Sequence, residues 1–251
     1  MKVFTSVEQW RTFRSALNTG SVGFVPTMGA LHPGHLSLLD ASLQNNELSV
    51  VSLFVNPGQF NDRDDLETYP KDPLDDLALL EENGADVVFM PDAAQIYADD
   101  YRFRVTEGEF SRQLCGASRP GHFDGVLTVV MRLLNLVLPR NAYFGEKDYQ
   151  QLQLIRGMTE AFFMDINIVA CPTVREPDGL AMSSRNRRLD AGQRQRAAYL
   201  YATLKQCRSA LQAEQTLTKQ GFDVDYVRDV GRRRFAAARL GNTRLIDNVE
   251  I

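Results

Sequence analysis

The chain has 251 residues, 44% hydrophobic and 24% charged, with a net charge of −4. This is the profile of an ordinary soluble globular protein, and the acidic balance argues against wholesale nucleic-acid binding. The most apolar stretch, 126–138, is interrupted by Arg132 and Asn135, so no membrane span is expected.

The N-terminal MKVFTSVEQWR has an early Glu8 and no apolar core, so it does not read as a secretion signal. Cys115, Cys171 and Cys207 are odd in number and far apart, with no CxxC, as expected of reduced thiols in the cytoplasm. Charge is unevenly spread. Residues 1–173 hold 13 Lys+Arg against 23 Asp+Glu, and residues 174–251 hold 15 against 9. This step predicts an acidic body, 1–173, and a basic C-terminal unit, 174–251, which supplies cations to an anionic ligand; most of its arginines read as solvated helix faces.

In chain order, short runs rich in Val, Ile or Phe predict strands at 22–26, 50–55, 87–90, 142–144 and 166–170. Between them, Val126, Val129, Val130, Leu133, Leu134 and Val137 follow a helical period, as do Leu152, Ile155, Met158 and Phe162. Such alternation predicts an α/β fold with a parallel sheet covered on both faces, where ligands bind beyond the carboxyl ends of the strands. After residue 173 the spacing predicts a long helix carrying Leu200, Leu204, Cys207 and Leu211, then strands near 226–227 and 244–246.

Four stretches place polar residues at that rim. TMGALHPGHLSLL joins the first predicted strand to a helix and holds His32 and His35, two of only three histidines. Gly29 and Gly34 let backbone approach a ligand, and the new helix offers free N–H groups to phosphate. HxxH is also a metal pattern, but no third His or nearby Cys completes a site. NPGQF follows the next strand, and the neutral amides of Asn56 and Gln59 suit the hydroxyl and carboxylate groups of a small polar substrate; alone, it reads as a turn. FGEKDYQQ brings Lys147 as a phosphate-gripping cation and Asp148 as its orienter or a ribose ligand. MSSRN offers Ser183, Ser184 and Arg185 as a triphosphate clamp, with Gly179 behind the loop.

VPTMGALHPGHLSL, SLFVNPGQF, GASRPGHFDGV, FGEKDYQQL, GLAMSSRN and the terminal TRLIDN together resemble the pantothenate synthetases, within the nucleotidyltransferases that carry a HIGH signature (here HPGH). MSSRN is similar to the KMSKS loop of that superfamily. The resemblance implies a Rossmann-like body with a smaller α+β lid and an ATP-dependent condensation of pantoate with β-alanine through pantoyl adenylate. It also implies Mg2+ and a homodimer.

Residue by residue, the resemblance implies that Met28, Gly29, Ala30, Leu31, His32, Pro33, Gly34 and His35 line the ATP site, with His35 as the catalytic imidazole. It gives Gln59 and Gln151 to pantoate, with β-alanine entering near Gln59. Gly145, Glu146, Lys147 and Asp148 go to the nucleotide, and Val174, Met182, Ser183, Ser184 and Arg185 to a closing lid. Asp75 and Asp76 in YPKDPLDDL become the magnesium shell, and Arg119 and His122 stay without a role. Two departures stand out: Gly58 where the family has Met, expected to widen that pocket wall, and a C-terminal unit that reads as shortened between Leu211 and Asp223. The rivals are a related adenylyl- or cytidylyltransferase with another acceptor, a non-catalytic nucleotide-binding protein, and a metal-binding protein built on the histidines.

Overall fold

The computed structural model describes residues 1–18, 20–61 and 63–251. The body runs β1 (Lys2–Phe4), α1 (Val7–Ala16), β2 (Val22–Thr27), α2 (Pro33–Asn45), β3 (Leu48–Leu53), α3 (Arg63–Glu67), α4 (Pro73–Glu82), β4 (Val87–Phe89), α5 (Ala93–Ile96), α6 (Cys115–Ser118), α7 (His122–Val137), β5 (Asn141–Gly145), α8 (Tyr149–Ala161) and β6 (Asn167–Cys171). Its six strands pair in parallel in the order β1-β4-β3-β2-β5-β6. All five predicted strands are present. β1 escaped notice because three half-exposed residues at a sheet edge carry no readable alternation.

Alternate strand residues face two separate cores, as the period of 2 requires. Phe24, Val50, Val87, Phe89, Ala142 and Phe144 pack under α1, α7 and α8, together with the α7 stripe from Val126 to Val137. Val25, Val51, Val88 and Tyr143 pack under α2 and α4 through Leu38, Leu39 and Leu80. The helices lie close: a methyl group at Gly23 would sit 2.1 Å from Ser42 Oγ on α2. Truncating a core residue such as Leu134, which is 0% exposed, to Ala would cost about 2–5 kcal/mol.

The C-terminal part has its own core. α9 (Ala191–Ala197), α10 (Tyr199–Gln206) and α11 (Ala210–Lys219) cover an antiparallel meander of β7 (Asp223–Val230), β8 (Arg233–Leu240) and β9 (Thr243–Glu250). Two-residue turns join these strands, with Gly231 and Gly241 at positive φ as tight hairpins demand. The predicted single long helix is corrected to three. The chain turns extended at Cys207, and the Ser209 side chain starts α11 by accepting from Gln212 N–H, which leaves Leu211 exposed. β8 was missed because FAAAR reads as helix by propensity. Small residues suit a central strand pressed between helices and its neighbours, and tertiary packing overrides that propensity.

Candidate active site

The strand order reverses between β2 and β5, and both of their carboxyl ends open into one cleft of about 1360 Å3. This is where a doubly wound sheet binds its ligand. The C-terminal unit closes the other side with Met182 to Arg185 and part of β9.

After β2 the chain makes a sharp turn, with Gly29 at φ 79° and Ala30 at φ 50°. Asp76, buried on α4, holds that turn. One of its oxygens accepts from Ala30 N–H at 2.8 Å and the other from Leu31 N–H at 2.7 Å. Asp76 is thereby occupied on both oxygens, while Asp75 lies exposed in the first turn of α4. The magnesium shell expected from this pair is not what these residues form. Among the described residues no group of three or more His, Cys, Asp or Glu is placed to hold a metal ion. The same turn shows that Gly29, Ala30, Leu31 and Pro33 shape the loop from behind, whereas Met28, His32, Gly34 and His35 line the cleft.

His32 caps α2: its Nδ1 accepts from Gly34 N–H at 3.1 Å, so the neutral ring carries its proton on Nε2. The His35 ring lies tilted against it with centroids 4.0 Å apart, and His35 Nδ1 is buried without a hydrogen-bond partner among the described residues. Burial, then the Lys147 and Arg187 charges, lower the His32 pKa to about 4. Burial, then His32 and Lys147, hold His35 well below the usual histidine range. At neutral pH both are uncharged donors beside a cation, a pairing suited to an incoming anion.

NPGQF lies opposite. Asn56 is 0% exposed, and its amide is fully engaged: Nδ2 donates to Gln59 Oε1 (3.0 Å) and Gly125 O (3.1 Å), and Oδ1 accepts from Gly58 N–H and the Tyr97 hydroxyl. Asn56 lines the cleft, but its amide is taken up by partners within the protein. It aims Gln59, whose Nε2 meets, among the described residues, only the weak acceptor Met28 Sδ at 3.1 Å and is left available to a ligand. The loop is braced from behind, where Arg119 Nη2 (3.1 Å) and His122 Nδ1 (2.8 Å) both donate to the Gln59 carbonyl. A guanidinium only donates, so its 3.1 Å contact makes His122 Nε2 the acceptor and fixes the proton on Nδ1. Burial, then Arg119, lower the His122 pKa to about 3. Gly58 faces Tyr97 and Tyr101 behind the loop instead of widening the cleft wall.

After β5, a turn at Glu146–Asp148 sets Lys147 on the rim, 3.4 Å from Asp148. Of the two glutamines that follow, Gln150 ties down the 110–115 segment through three hydrogen bonds, and Gln151 faces the cleft. The turn is held from the C-terminal unit: Asn248 Nδ2 donates to the carbonyls of Glu146 and Lys147, each at 2.9 Å. Asn248 was not singled out from the sequence, although it closes the TRLIDN motif.

The Ser183–Arg188 loop docks on α3. Asp65 accepts from Arg185 Nη2 and Arg188 Nη1, both at 2.9 Å, and the Tyr69 hydroxyl meets Ser184 Oγ at 3.4 Å. Burial pushes the Asp65 carboxyl up, but the two arginines outweigh it and leave the group below its ordinary value. Asp65 and Tyr69 also escaped the sequence reading, since one carboxylate within NDRDDLE gives no periodic signal.

Neutral imidazoles, a rim lysine and an arginine loop at the switch point of a parallel sheet define a nucleotide-using enzyme of the HIGH-motif class. The family model described as pantoate–β-alanine ligase matches residues 2–250, and the chain belongs to that family. The pantothenate synthetase of Bdellovibrio bacteriovorus is 56% identical over 244 residues, covering 97% of this chain and 96% of the relative. That of Legionella pneumophila is 50% identical over 249 residues, covering 99% of each. Relatives of matching length thus exist for the C-terminal unit that read as shortened. The pantoate–β-alanine ligase of Francisella tularensis, solved with β,γ-ATP and β-alanine, superposes with a TM-score of 0.95 at 39% identity, over 100% of this chain and 97% of that one. The Thermus thermophilus enzyme gives 0.90 at 40% identity, over 100% and 99%. The family's reaction is the ATP-dependent condensation of pantoate with β-alanine, and this chain is a ligase of that kind.

Proposed function

We propose that the condensation runs through pantoyl adenylate, with ATP between the two halves of the cleft and pantoate between Gln59 and Gln151. The observation that carries this reading is the convergence on one cleft of neutral imidazoles, Lys147, Arg185 and the two amides of Gln59 and Gln151. A pantoate carboxylate oxygen attacks the α-phosphorus, and pyrophosphate leaves. The free amine of β-alanine then attacks the acyl carbon, AMP leaves, and the amine proton passes to solvent.

His32 and His35 donate without adding charge of their own, while Lys147 and Arg185 meet the charge that grows on the phosphoryl oxygens. Val174 supports the lid, since its carbonyl accepts from Met182 N–H at 3.0 Å. Magnesium enters this reading with the triphosphate, as part of the substrate, because Asp75 and Asp76 do not form a shell for it. The lid role of 174–251, a homodimer and a cytoplasmic location belong to the same reading. Among the described residues no helix is long and apolar enough to cross a membrane.

The test is pyrophosphate release from ATP with pantoate alone, followed by pantothenate formation when β-alanine is added. Release that waits for β-alanine would overturn the adenylate order. Release with another carboxylic acid but not with pantoate would favour a related adenylyltransferase.

A further inference from the structure

Arg119 brings a positive charge into the cleft, where Asp65 acts on it without pairing with it. Among the described residues it forms no ion pair, unlike Arg185, Arg188 and Arg244 around it. Its fork is nevertheless held still, by His122 on one nitrogen and the Gln59 carbonyl on another. A guanidinium has five N–H donors, so most of them remain for a ligand. Next to it, Ser118 Oγ accepts from Arg244 Nη2 at 3.1 Å, which brings a second guanidinium from β9 to the same corner. Asp225 balances Arg244 through a 2.7 Å contact, and the corner keeps the charge of Arg119. Burial, then Arg185 and Arg244, pull the Arg119 pKa down to about 10.

We infer that Arg119, with Ser118 and Arg244 beside it, binds the carboxylate of the β-alanine substrate. The chemistry of the two acids separates their sites. Pantoate's carboxylate is the reacting group and must lie at the α-phosphorus, near His35 and Lys147. β-Alanine's carboxylate takes no part in bond making, but it must be anchored so that the amine at the other end meets the acyl carbon. Arg119 grips the backbone of Gln59, whose side chain faces pantoate, so the anchor and the acceptor are tied to one residue. A planar fork suits a carboxylate, and its charge rejects amines that lack one. This assignment rests on the ligase reading above.

The experiment compares kcat/KM for β-alanine with that for β-alaninamide, a near-isostere in which an uncharged amide replaces the carboxylate, in wild type, Arg119→Gln and Arg119→Ala. Arg119→Gln removes the charge and keeps N–H donors for the Gln59 carbonyl, so the loop brace is preserved. The expected result is that the ratio of the two substrates falls about 10- to 100-fold in both variants, the size of one charge-assisted hydrogen-bonded contact. Arg119→Lys should retain part of it. An equal loss toward both amines, with the ratio unchanged, overturns the assignment and leaves Arg119 as a brace for Gln59. Pyrophosphate release from ATP and pantoate in the wild type separates the two claims: its absence sinks the adenylate reading, while normal release with an unaltered ratio sinks only the role of Arg119.

Discussion

The two walls of the cleft are built on different physical terms. On the body side, functional groups are aimed by neutral or backbone hydrogen bonds that leave nothing to rearrange. Asp76 holds the histidine turn, Asn56 aims Gln59, and His122 with Arg119 braces the loop behind it. On the C-terminal side, Arg185 and Arg188 are held by one partly exposed carboxylate, Asp65. The first wall is preorganised and the second is poised to exchange partners. Specificity for a small polar substrate gains from rigidity, because misplaced amides lose their directional bonds. A triphosphate that must enter, react and leave as pyrophosphate suits charges that move between counter-ions.

Lys147→Ala should have the largest effect, because Lys147 lines the cleft and, among the described residues, its ammonium pairs only with Asp148. Losing one such electrostatic donor should cost about 2.7–4 kcal/mol of barrier, or roughly 100- to 1000-fold in turnover, with the thermal midpoint almost unchanged. Steady-state kinetics with a melting curve checks both halves, and wild-type turnover would remove Lys147 from the mechanism. Asp76→Ala breaks the comparison from the other side. It leaves two buried N–H groups unpaired and should cost about 1–3 kcal/mol of stability for each, which urea denaturation measures. A change in activity with no loss of stability would mean that Asp76 serves the reaction directly.

Sequence periodicity carried the body well, because parallel strands buried on both faces must be apolar and α7 must repeat its stripe. The meander of the C-terminal unit was less legible. β8 takes alanines for space, and the break at Cys207 is set by local backbone geometry that no apolar spacing records. In the site, His32, His35, Gln59 and Lys147 were named from their place at strand ends, Arg185 from its loop and Gln151 from the family resemblance, and all six line the cleft. Asn56, Asp76 and Arg119 needed coordinates, because a polar residue that holds another looks in sequence like one that holds a ligand. Only the donor and acceptor count around each one separates the two.

The pH response should follow the body wall. His122 titrates at about 3 in the folded protein and near 6.5 when unfolded, and His32 at about 4. Between those values the unfolded chain binds more protons, so their contribution to stability is complete above about pH 6.5 and falls as the pH drops toward 3. NMR titration of the three imidazoles should find none of them changing near 6.5. ATP should move His32 upward, since an anion favours its charged form. A histidine titrating near 6.5 in the empty protein would show that the cleft is wetter than its geometry implies.

Asp65→Asn should have the smallest effect and bears most directly on the contrast between the walls. Partly exposed ion pairs contribute about 0–1 kcal/mol, so the fold should tolerate the change. Arg185 loses a competitor for phosphate and the site loses a negative charge, so ATP should bind a few-fold more tightly, most visibly at low salt. Looser binding would mean that Asp65 aims the arginine as Asn56 aims Gln59. Both walls would then be preorganised, and the charges of the C-terminal wall would be fixed features and not exchangeable ones.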